Sequence, residues 1–302
     1  MGFLKQLFAQ FSQDRCTTLA ASLAYYTAFA LPPLLYLLLT LLTTSLSVMY
    51  DTEKAEEKAQ NLIKTQASRM IGNPSASEEI KTILENSKES QGKWWKTLIS
   101  FVGIVIGATG VMAALQAALN QVWEVRPAPD TSGVKNFISK RLISFAMILG
   151  LGFLLLVSLV VTSILTSFSG WLGMAGALGG IVNFVVQAAV VYVMFAAIFK
   201  YMPDAKVGWP DVLIGSAITT VLFLVGQQAM QIYFSFSEPG AQLGAAAASL
   251  AVLLVWVYYS ATIVLLGAEV TQVYAVRQGD GIRPEPDAVR VIETLEHPRD
   301  NA

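Results

Sequence analysis

Side chains that could do acid–base or nucleophilic chemistry are scarce in this chain and do not cluster. The chain has one histidine, His297, in a polar C-terminal stretch, and one cysteine, Cys16, at the start of a long uncharged run. A single cysteine excludes an internal disulfide and a cysteine-rich metal site. The sequence contains no HExxH pair, phosphate-binding loop or nucleophile elbow. We therefore expect no enzymatic activity, no catalytic residues, no metal and no cofactor.

Glu269, in VLLGAEVTQVYAV, is the clearest carboxylate with apolar residues on both sides. A charge near the bilayer centre costs about 2.5 to 3.5 kcal/mol, so such a residue has a partner or a role. Two interpretations stay open. Glu269 pairs with a base from a neighbouring loop, such as Arg126, Lys140 or Arg141, or it belongs to a transport pathway.

Uncharged polar side chains recur inside the apolar runs, where lipid offers them no hydrogen bond. We expect them to point inward, where they either bond between helices or line a polar cavity. Asn183 and Gln187 are four residues apart, as are Gln227 and Gln231, so each pair shares one helical face. The full set is Tyr25, Tyr26, Tyr36, Gln116, Asn120, Asn183, Gln187, Gln227, Gln228 and Gln231.

The stretch AYYTAFALPPLL, residues 24–35, places two prolines inside an uncharged run. Pro32 and Pro33 remove the amide donors that would reach the carbonyls of Ala28 and Phe29, which predicts a break in the first helix, with a plain structural kink as the alternative. Transporters bind substrates at breaks of this kind. The predicted substrate pathway comprises Tyr25, Tyr26, Pro32, Pro33, Asn183, Gln187, Gln227, Gln231, Tyr258 and Glu269.

Long uncharged runs define the elements that must position these residues. Of the 302 residues, 54% are hydrophobic and 14% are charged, against about 25% charged in soluble domains. A helix needs about 20 apolar residues to cross a bilayer, and five glycines in SGWLGMAGALGG divide the longest run into two. The sequence predicts an all-α, polytopic membrane protein with six transmembrane helices. They lie at about 17–49, 95–123, 142–167, 181–200, 211–236 and 245–276.

The flanking segments indicate orientation. Lys and Arg concentrate in the loops 124–141 and 200–211 and in the C-terminal segment, which predicts that these loops and both termini are cytoplasmic. Residues 1–15 are typical of an amphipathic helix in the headgroup layer. Residues 277–302, rich in proline and charge, predict a mobile cytoplasmic tail. The net charge of -1 provides no basic field for nucleic acid, so no nucleic-acid partner is expected.

Residues 51–93 form a long insert between the first two spans, with seven Lys or Arg balanced by eight Asp or Glu. Long segments cross the membrane largely regardless of charge. Apolar residues at helical spacing, a break at Asn73-Pro74 and a capping box from Ser75 to Glu78 predict an extracytoplasmic helical hairpin. The hairpin either packs on the ends of the spans or docks an envelope protein or a lipid.

Several stretches together carry a resemblance to a known family. They are AYYTAFALPPLL, ALNQVWEV, YMPDAK, WPDVLIGS, the run from LGAAAASLAVLL to VTQVYA, and GIRP. Across roughly residues 10–285 the chain resembles the YihY / virulence factor BrkB family, which implies six-helix proteins of the bacterial inner (plasma) membrane. The chain departs from the family at Ala30, where many relatives have Ser, and at Pro32, an added proline, so a site that used that serine would be altered.

The resemblance implies no settled activity. The family has been labelled ribonuclease BN, but a nuclease needs metal ligands or acid–base groups and a basic groove, which this sequence lacks. Members have also been linked to serum resistance and to movement of lipid or lipopolysaccharide. The leading interpretation is a transporter-like protein that moves or handles a lipid or other amphiphile for the cell envelope, with membrane lipids as partners. The alternatives are a non-transporting scaffold that binds envelope proteins, and a proton- or ion-coupled exchanger that uses Glu269.

Overall fold

The structure is a computed structural model and describes residues 2–48, 50–71, 109–129, 177–236, 245–278 and 281–292, with single positions between 142 and 154. The helices are α1 (Phe3–Gln13), α2 (Cys16–Leu46), α3 (Thr52–Ile71), α4 (helical residues 109–122), α5 (Ala177–Tyr201), α6 (Trp209–Phe236) and α7 (Ala245–Gln278). The strands are β1 (Val125–Pro127), β2 (Ala205–Lys206), β3 (Arg283–Pro284) and β4 (Ala288–Arg290).

Three of the described helices are long and apolar enough to cross a membrane. They are Gly180–Tyr201 in α5, Trp209–Tyr233 in α6 and Ala251–Gln278 in α7, and α2 adds a shorter apolar stretch, Cys16–Leu31. The prediction of an all-α membrane protein is therefore confirmed. The predicted spans at 95–123 and 142–167 fall largely outside the described residues, so the number six stays a prediction.

Helix α7 lies between α2 and α6 and packs extensively on both, while α5 packs on α6. Leu119, Phe199 and Leu265 are fully buried and bring α4, α5 and α7 into one core. This core consists of aliphatic and aromatic side chains whose mutual packing holds the helices in place. Helix α7 is thus the element against which the others are positioned.

Two glycines allow α6 and α7 to approach closely. A Cβ at Gly215 would overlap the Thr271 hydroxyl, and a Cβ at Gly267 would overlap the Thr219 hydroxyl. Each threonine donates to the carbonyl of the glycine one turn before it, Thr219 to Gly215 at 2.7 Å and Thr271 to Gly267 at 2.9 Å. Small residues four apart are typical of close helix contacts in membranes. We call these four residues the glycine–threonine contact.

The prediction that α2 breaks at Pro32 and Pro33 is wrong, because one helix runs without interruption from Cys16 to Leu46. Each proline costs its helix an amide donor, but packing on both sides of the pair holds the helical path. Before the prolines, α2 joins the central core through Ala20 and Leu23. After them, it packs against α3.

Helix α3 returns along the second half of α2. Its buried Ala59 and Ile63 contact Leu35, Leu39 and Leu42 of α2 in a separate apolar cluster. The apolar face of the first helix of the insert is therefore covered by the chain itself. The second helix predicted for the insert, with its capping box, lies outside the described residues.

The C-terminal segment is ordered at residues 281–292, so the prediction of a mobile tail is wrong for this part. Strand β3 pairs with β2 and β4 pairs with β1, both antiparallel. Backbone amides of Ala128 and Val291 donate to Asp287 and Glu124 at 2.9 and 2.7 Å and extend the second pair. The segment is fixed because these loop backbones satisfy its hydrogen-bonding groups. We call the end of the bundle that holds α1, the strands and this segment the tail end.

Helix α1 lies at the tail end and packs on the last turns of α7. Leu7 is buried with Val270 and Val273, whereas Leu4 and Phe8 are 65% and 62% exposed. The helix therefore offers an apolar face that a membrane surface could cover.

Candidate functional site

The contact between the start of α2 and the end of α7 gives a common reference for depth in the bundle. Cys16 Sγ lies 3.5 Å from Glu269 Oε1. Helix α2 begins at this contact and α7 approaches its C-terminal end there, so the two helices are antiparallel. Residues counted forward from Cys16 and backward from Glu269 therefore lie at matching depths. A helix rises 1.5 Å per residue, so Tyr25 and Tyr26 on α2 and Tyr258 on α7 all lie roughly 14 to 16 Å from it. The three tyrosines share one level of the bundle.

Helices α5 and α6 place two glutamines at this same level. The Tyr259 ring, next to Tyr258, fills the space at Gly226, where a Cβ would overlap it, and its hydroxyl donates to the Leu222 carbonyl at 3.1 Å. Gln227 follows Gly226, is buried, and accepts a hydrogen bond of 3.1 Å from Gln187 Nε2.

Six polar side chains therefore lie at one level of the bundle, in the middle part of helices α2, α5, α6 and α7. We call this set the mid-level belt; it consists of Tyr25, Tyr26, Gln187, Gln227, Tyr258 and Tyr259.

The belt contains two kinds of polar group. Gln187 and Gln227 bond to each other between α5 and α6, as glue between helices does. Tyr25 and Tyr26 point outward instead, with 61% and 51% of their area exposed, and no described residue bonds their hydroxyls. Tyr25 also contacts Phe29, with ring centroids 4.8 Å apart, so the exposed face combines hydroxyls with aromatic carbon.

The other predicted pathway residues are distributed differently. Gln231 is partly buried one turn beyond Gln227 on α6. The backbones of Pro32, Pro33 and Asn183 lie in α2 and α5, and their side chains are outside the described part of the chain. The structure thus places the tyrosines, Gln187 and Gln227 at one level, where the two glutamines bond to each other and the tyrosines of α2 face outward.

Gln116 and Asn120 bind a loop rather than a cavity. Gln116 Nε2 and Asn120 Nδ2 donate to the two carboxylate oxygens of Asp204 at 3.0 and 2.8 Å. The Asp204 backbone amide donates back to Asn120 Oδ1 at 2.8 Å. These three bonds fix the loop between α5 and β2 on α4.

Glu269 is fully buried and does not pair with Arg126. Besides Cys16, its carboxyl contacts that of Asp14, at the turn between α1 and α2, and Glu124 adds a second negative charge nearby. The prediction of an ion pair with Arg126 is wrong because pairing with β4 holds β1 at the surface, where Arg126 is exposed. Lys140 and Arg141 lie outside the described residues.

The buried side chain of Trp123 also lies next to Glu269, because its Nε1 donates to the Ala268 carbonyl at 3.1 Å. Sequence reasoning missed Asp14 and Cys16 as neighbours of Glu269. The sequence offered one indication of this contact. Both residues lie at the start of the first predicted span, and Glu269 lies near the end of the last. Within the described ranges, no group of three or more His, Cys, Asp or Glu side chains is arranged to hold a metal ion.

Comparisons with known proteins agree with this membrane architecture. The family model described as Virulence factor BrkB matches residues 7–292. A UPF0761 membrane protein of Halorhodospira halophila is 28% identical over 281 residues, covering 90% of this chain and 56% of its own, so the chain spans little more than half of that relative. One of Idiomarina loihiensis is 29% identical over 296 residues, covering 95% and 94%. No solved structure matches the chain.

A third relative, a UPF0761 membrane protein of Photobacterium profundum, is 28% identical and covers 90% of this chain and 80% of its own. The names of these relatives describe membrane proteins and no activity. With a family model that covers nearly the whole sequence, the chain belongs to the Virulence factor BrkB family of membrane proteins.

Proposed function

We propose that this protein is a transporter-like protein of the bacterial inner membrane that binds and moves a lipid or other amphiphile, with its tail end in the cytoplasm. The observation that carries the proposal is the pair of outward tyrosine hydroxyls, Tyr25 and Tyr26, at the middle of the bundle. The proposal includes no catalytic step.

At this level the hydroxyls of Tyr25 and Tyr26 would face the acyl chains of lipid. Acyl chains accept no hydrogen bonds, and leaving a hydroxyl unsatisfied there costs on the order of 1 to 3 kcal/mol. The two adjacent hydroxyls are therefore better explained as hydrogen-bonding partners for the polar group of a molecule that passes them. The neighbouring Phe29 ring suits the apolar part of the same molecule, so the surface matches an amphiphile.

The contribution of polar groups by several helices also supports a substrate-binding role. Membrane transporters bind near the bilayer midplane, at polar groups that adjacent helices contribute. Here α2 and α7 contribute the exposed tyrosines, while the bonded glutamines hold α5 against α6. Since the chain has no nucleotide-binding motif, a gradient or a partner would supply the energy for movement against a concentration difference.

Reconstitution into liposomes with fluorescent phospholipid tests the proposal. Movement between leaflets is followed by quenching of the outer leaflet with an impermeant reductant. We expect the native protein to accelerate movement and Tyr25→Phe with Tyr26→Phe, which removes only two oxygen atoms, to slow it about tenfold. Tyr201→Phe, at an exposed tyrosine outside the belt, is the matched control. Native rates in the double variant, or no movement in folded native protein, would refute the proposal.

A second candidate, proton- or ion-coupled exchange, has one observation in its favour. Glu269 is buried against a second carboxyl, Asp14, and among the described residues no cation contacts it. Glu269→Gln keeps the size of the side chain and removes its ability to ionise. In liposomes that report internal pH, exchange predicts a proton flux with the native protein and no flux with Glu269→Gln. The absence of any flux with the native protein rejects this candidate.

Docking of an envelope protein on residues 51–93 stays a prediction. The cluster between α3 and α2 occupies the apolar face of α3, so a partner would have to bind its polar side or the residues beyond Ile71.

A further inference from the structure

A pocket of about 590 Å³ opens at the tail end, away from the mid-level belt. It lies where the β2–β3 pair meets the start of α6 and the end of α7. Its lining consists of Lys206, Gly208, Pro210, Asp211, Tyr274, Gln278, Gly281 and Arg283. The pocket is large enough for a small polar group such as a headgroup.

Aromatic residues beside the pocket indicate its level relative to the membrane. Trp209, between two lining residues, and Tyr201 are 50% and 57% exposed and contact each other edge to face, with centroids 6.4 Å apart. Lys200 Nζ lies 5.3 Å from the centre of the Trp209 ring. Tryptophan and tyrosine are enriched at membrane–water interfaces. The pocket is therefore placed at the level of lipid headgroups.

Two cations are held side by side in the lining. Lys206 on β2 and Arg283 on β3 are direct partners in the antiparallel register, so their side chains leave the same face. Like charges directly opposite each other destabilise a strand pair. Neither residue forms an ion pair within the described residues. An anion between them would turn this repulsion into two favourable contacts.

The rest of the lining adds a neutral donor and one carboxylate. Gln278 Nε2 donates to the Tyr274 hydroxyl at 3.0 Å, which leaves the hydroxyl proton available for a ligand. Asp211 is buried in the first turn of α6, where a carboxylate stabilises the free amides of a helix start. The three charged side chains give the lining a net charge of +1, which favours an anion.

We propose that this pocket binds a phosphate ester, with Lys206 and Arg283 contacting the phosphate oxygens and Tyr274 donating to one of them. The headgroup level of the pocket favours a phospholipid as the source, and a soluble phosphate ester offers the same chemistry. The inference goes beyond lipid movement by the belt. It requires only that the helices cross a membrane, so the outcome of the Tyr25 and Tyr26 experiment leaves it unaffected.

Isothermal titration of the full chain in neutral detergent tests the site with three probes. They are dihexanoylphosphatidylglycerol, inorganic phosphate, and dihexanoylglycerol, which lacks phosphate. We expect the phospholipid to bind and dihexanoylglycerol not to bind. Lys206→Gln with Arg283→Gln should raise the Kd for the phospholipid about tenfold or more, because hydrogen bonds to charged groups are among the stronger ones.

The matched control is Lys5→Gln with Arg126→Gln, which removes the same charges from exposed positions at the tail end. Inorganic phosphate binding as tightly as the phospholipid, with the same dependence on Lys206 and Arg283, would support the site and assign it to a soluble ester. Native affinity in the pocket variant, an equal loss in the control, or no binding of either phosphate probe to native protein would overturn it. If the double variant does not fold, the single variants decide, each with about a threefold loss expected.

Discussion

Replacing Gly267 with alanine tests the contact between α6 and α7 most directly. Gly267 lies in the glycine–threonine contact, where an added Cβ would overlap the Thr219 hydroxyl. It would also lie 3.0 Å from Thr219 Cβ and 3.1 Å from Phe199 Cζ. Carbon atoms pack best at about 3.5 to 4.0 Å, so the helices have to separate or side chains have to leave their rotamers.

The expected size of the effect follows from two opposing contributions. Extra methyl groups in a filled core cost about 1 to 3 kcal/mol, and the upper part applies because Thr219 and Phe199 are both fully buried. Alanine gains about 1 kcal/mol over glycine in helix propensity. We expect Gly267→Ala to lower the free energy of unfolding by about 1 to 2 kcal/mol.

Unfolding of the protein in detergent micelles, followed by fluorescence of its 6 tryptophans, measures this loss. Gly110→Ala is the matched control, because Gly110 is also helical and a Cβ there meets nothing within 4 Å. The same substitution should be neutral or stabilising at Gly110. Adding Thr219→Ala to Gly267→Ala should recover part of the lost stability, since it removes the overlapping hydroxyl.

Equal effects at Gly267 and Gly110 would show that α6 and α7 do not approach as closely as the structure places them. A double variant no more stable than Gly267→Ala would refute the specific role of Thr219. Coupled neighbours deviate from additivity by about 0.5 to 3 kcal/mol, so the difference is measurable.

Three further predictions concern the tail end. Asn120→Asp should destabilise the protein more than Asn120→Ala, because it sets a carboxylate against the carboxylate of Asp204; melting temperatures measure the difference. Trp123→Phe should cost about 0.5 to 1.5 kcal/mol in unfolding free energy through loss of its bond to the Ala268 carbonyl. Removing residues 279–302 should speed amide hydrogen exchange in β1 and β2, whose partners β4 and β3 are then absent.

Each of these has its own control. Asn120→Asp as stable as Asn120→Ala would mean that Asp204 is not held as the structure shows. Trp209→Phe, at an exposed tryptophan, should change stability little. An equal loss of stability in Trp209→Phe would show that the loss in Trp123→Phe does not come from its bond to the Ala268 carbonyl. Truncation of residues 293–302 alone should leave exchange in β1 and β2 unchanged, and unprotected strands in the native chain would contradict the pairing.

The sequence by itself determined that the chain crosses a membrane. Long uncharged runs are costly in water and favourable in lipid, and this property depends on composition and not on which helix neighbours which. The helical face of α1 and the polar character of Tyr25, Gln187 and Gln227 were readable for the same reason. The resemblance of motifs such as AYYTAFALPPLL and ALNQVWEV to the BrkB family was also present in the sequence, and the family model confirms it.

Tertiary structure alone decided which of these residues meet. Glu269 and Cys16 are 253 positions apart, and nothing local distinguishes that contact from an ion pair with Arg126. Packing on both sides of Pro32 and Pro33 keeps α2 helical where local rules predict a break. The charged segment after α7 is ordered because two distant loops offer it backbone partners. In each case the free energy comes from contacts between segments far apart in the chain, and local patterns do not encode them.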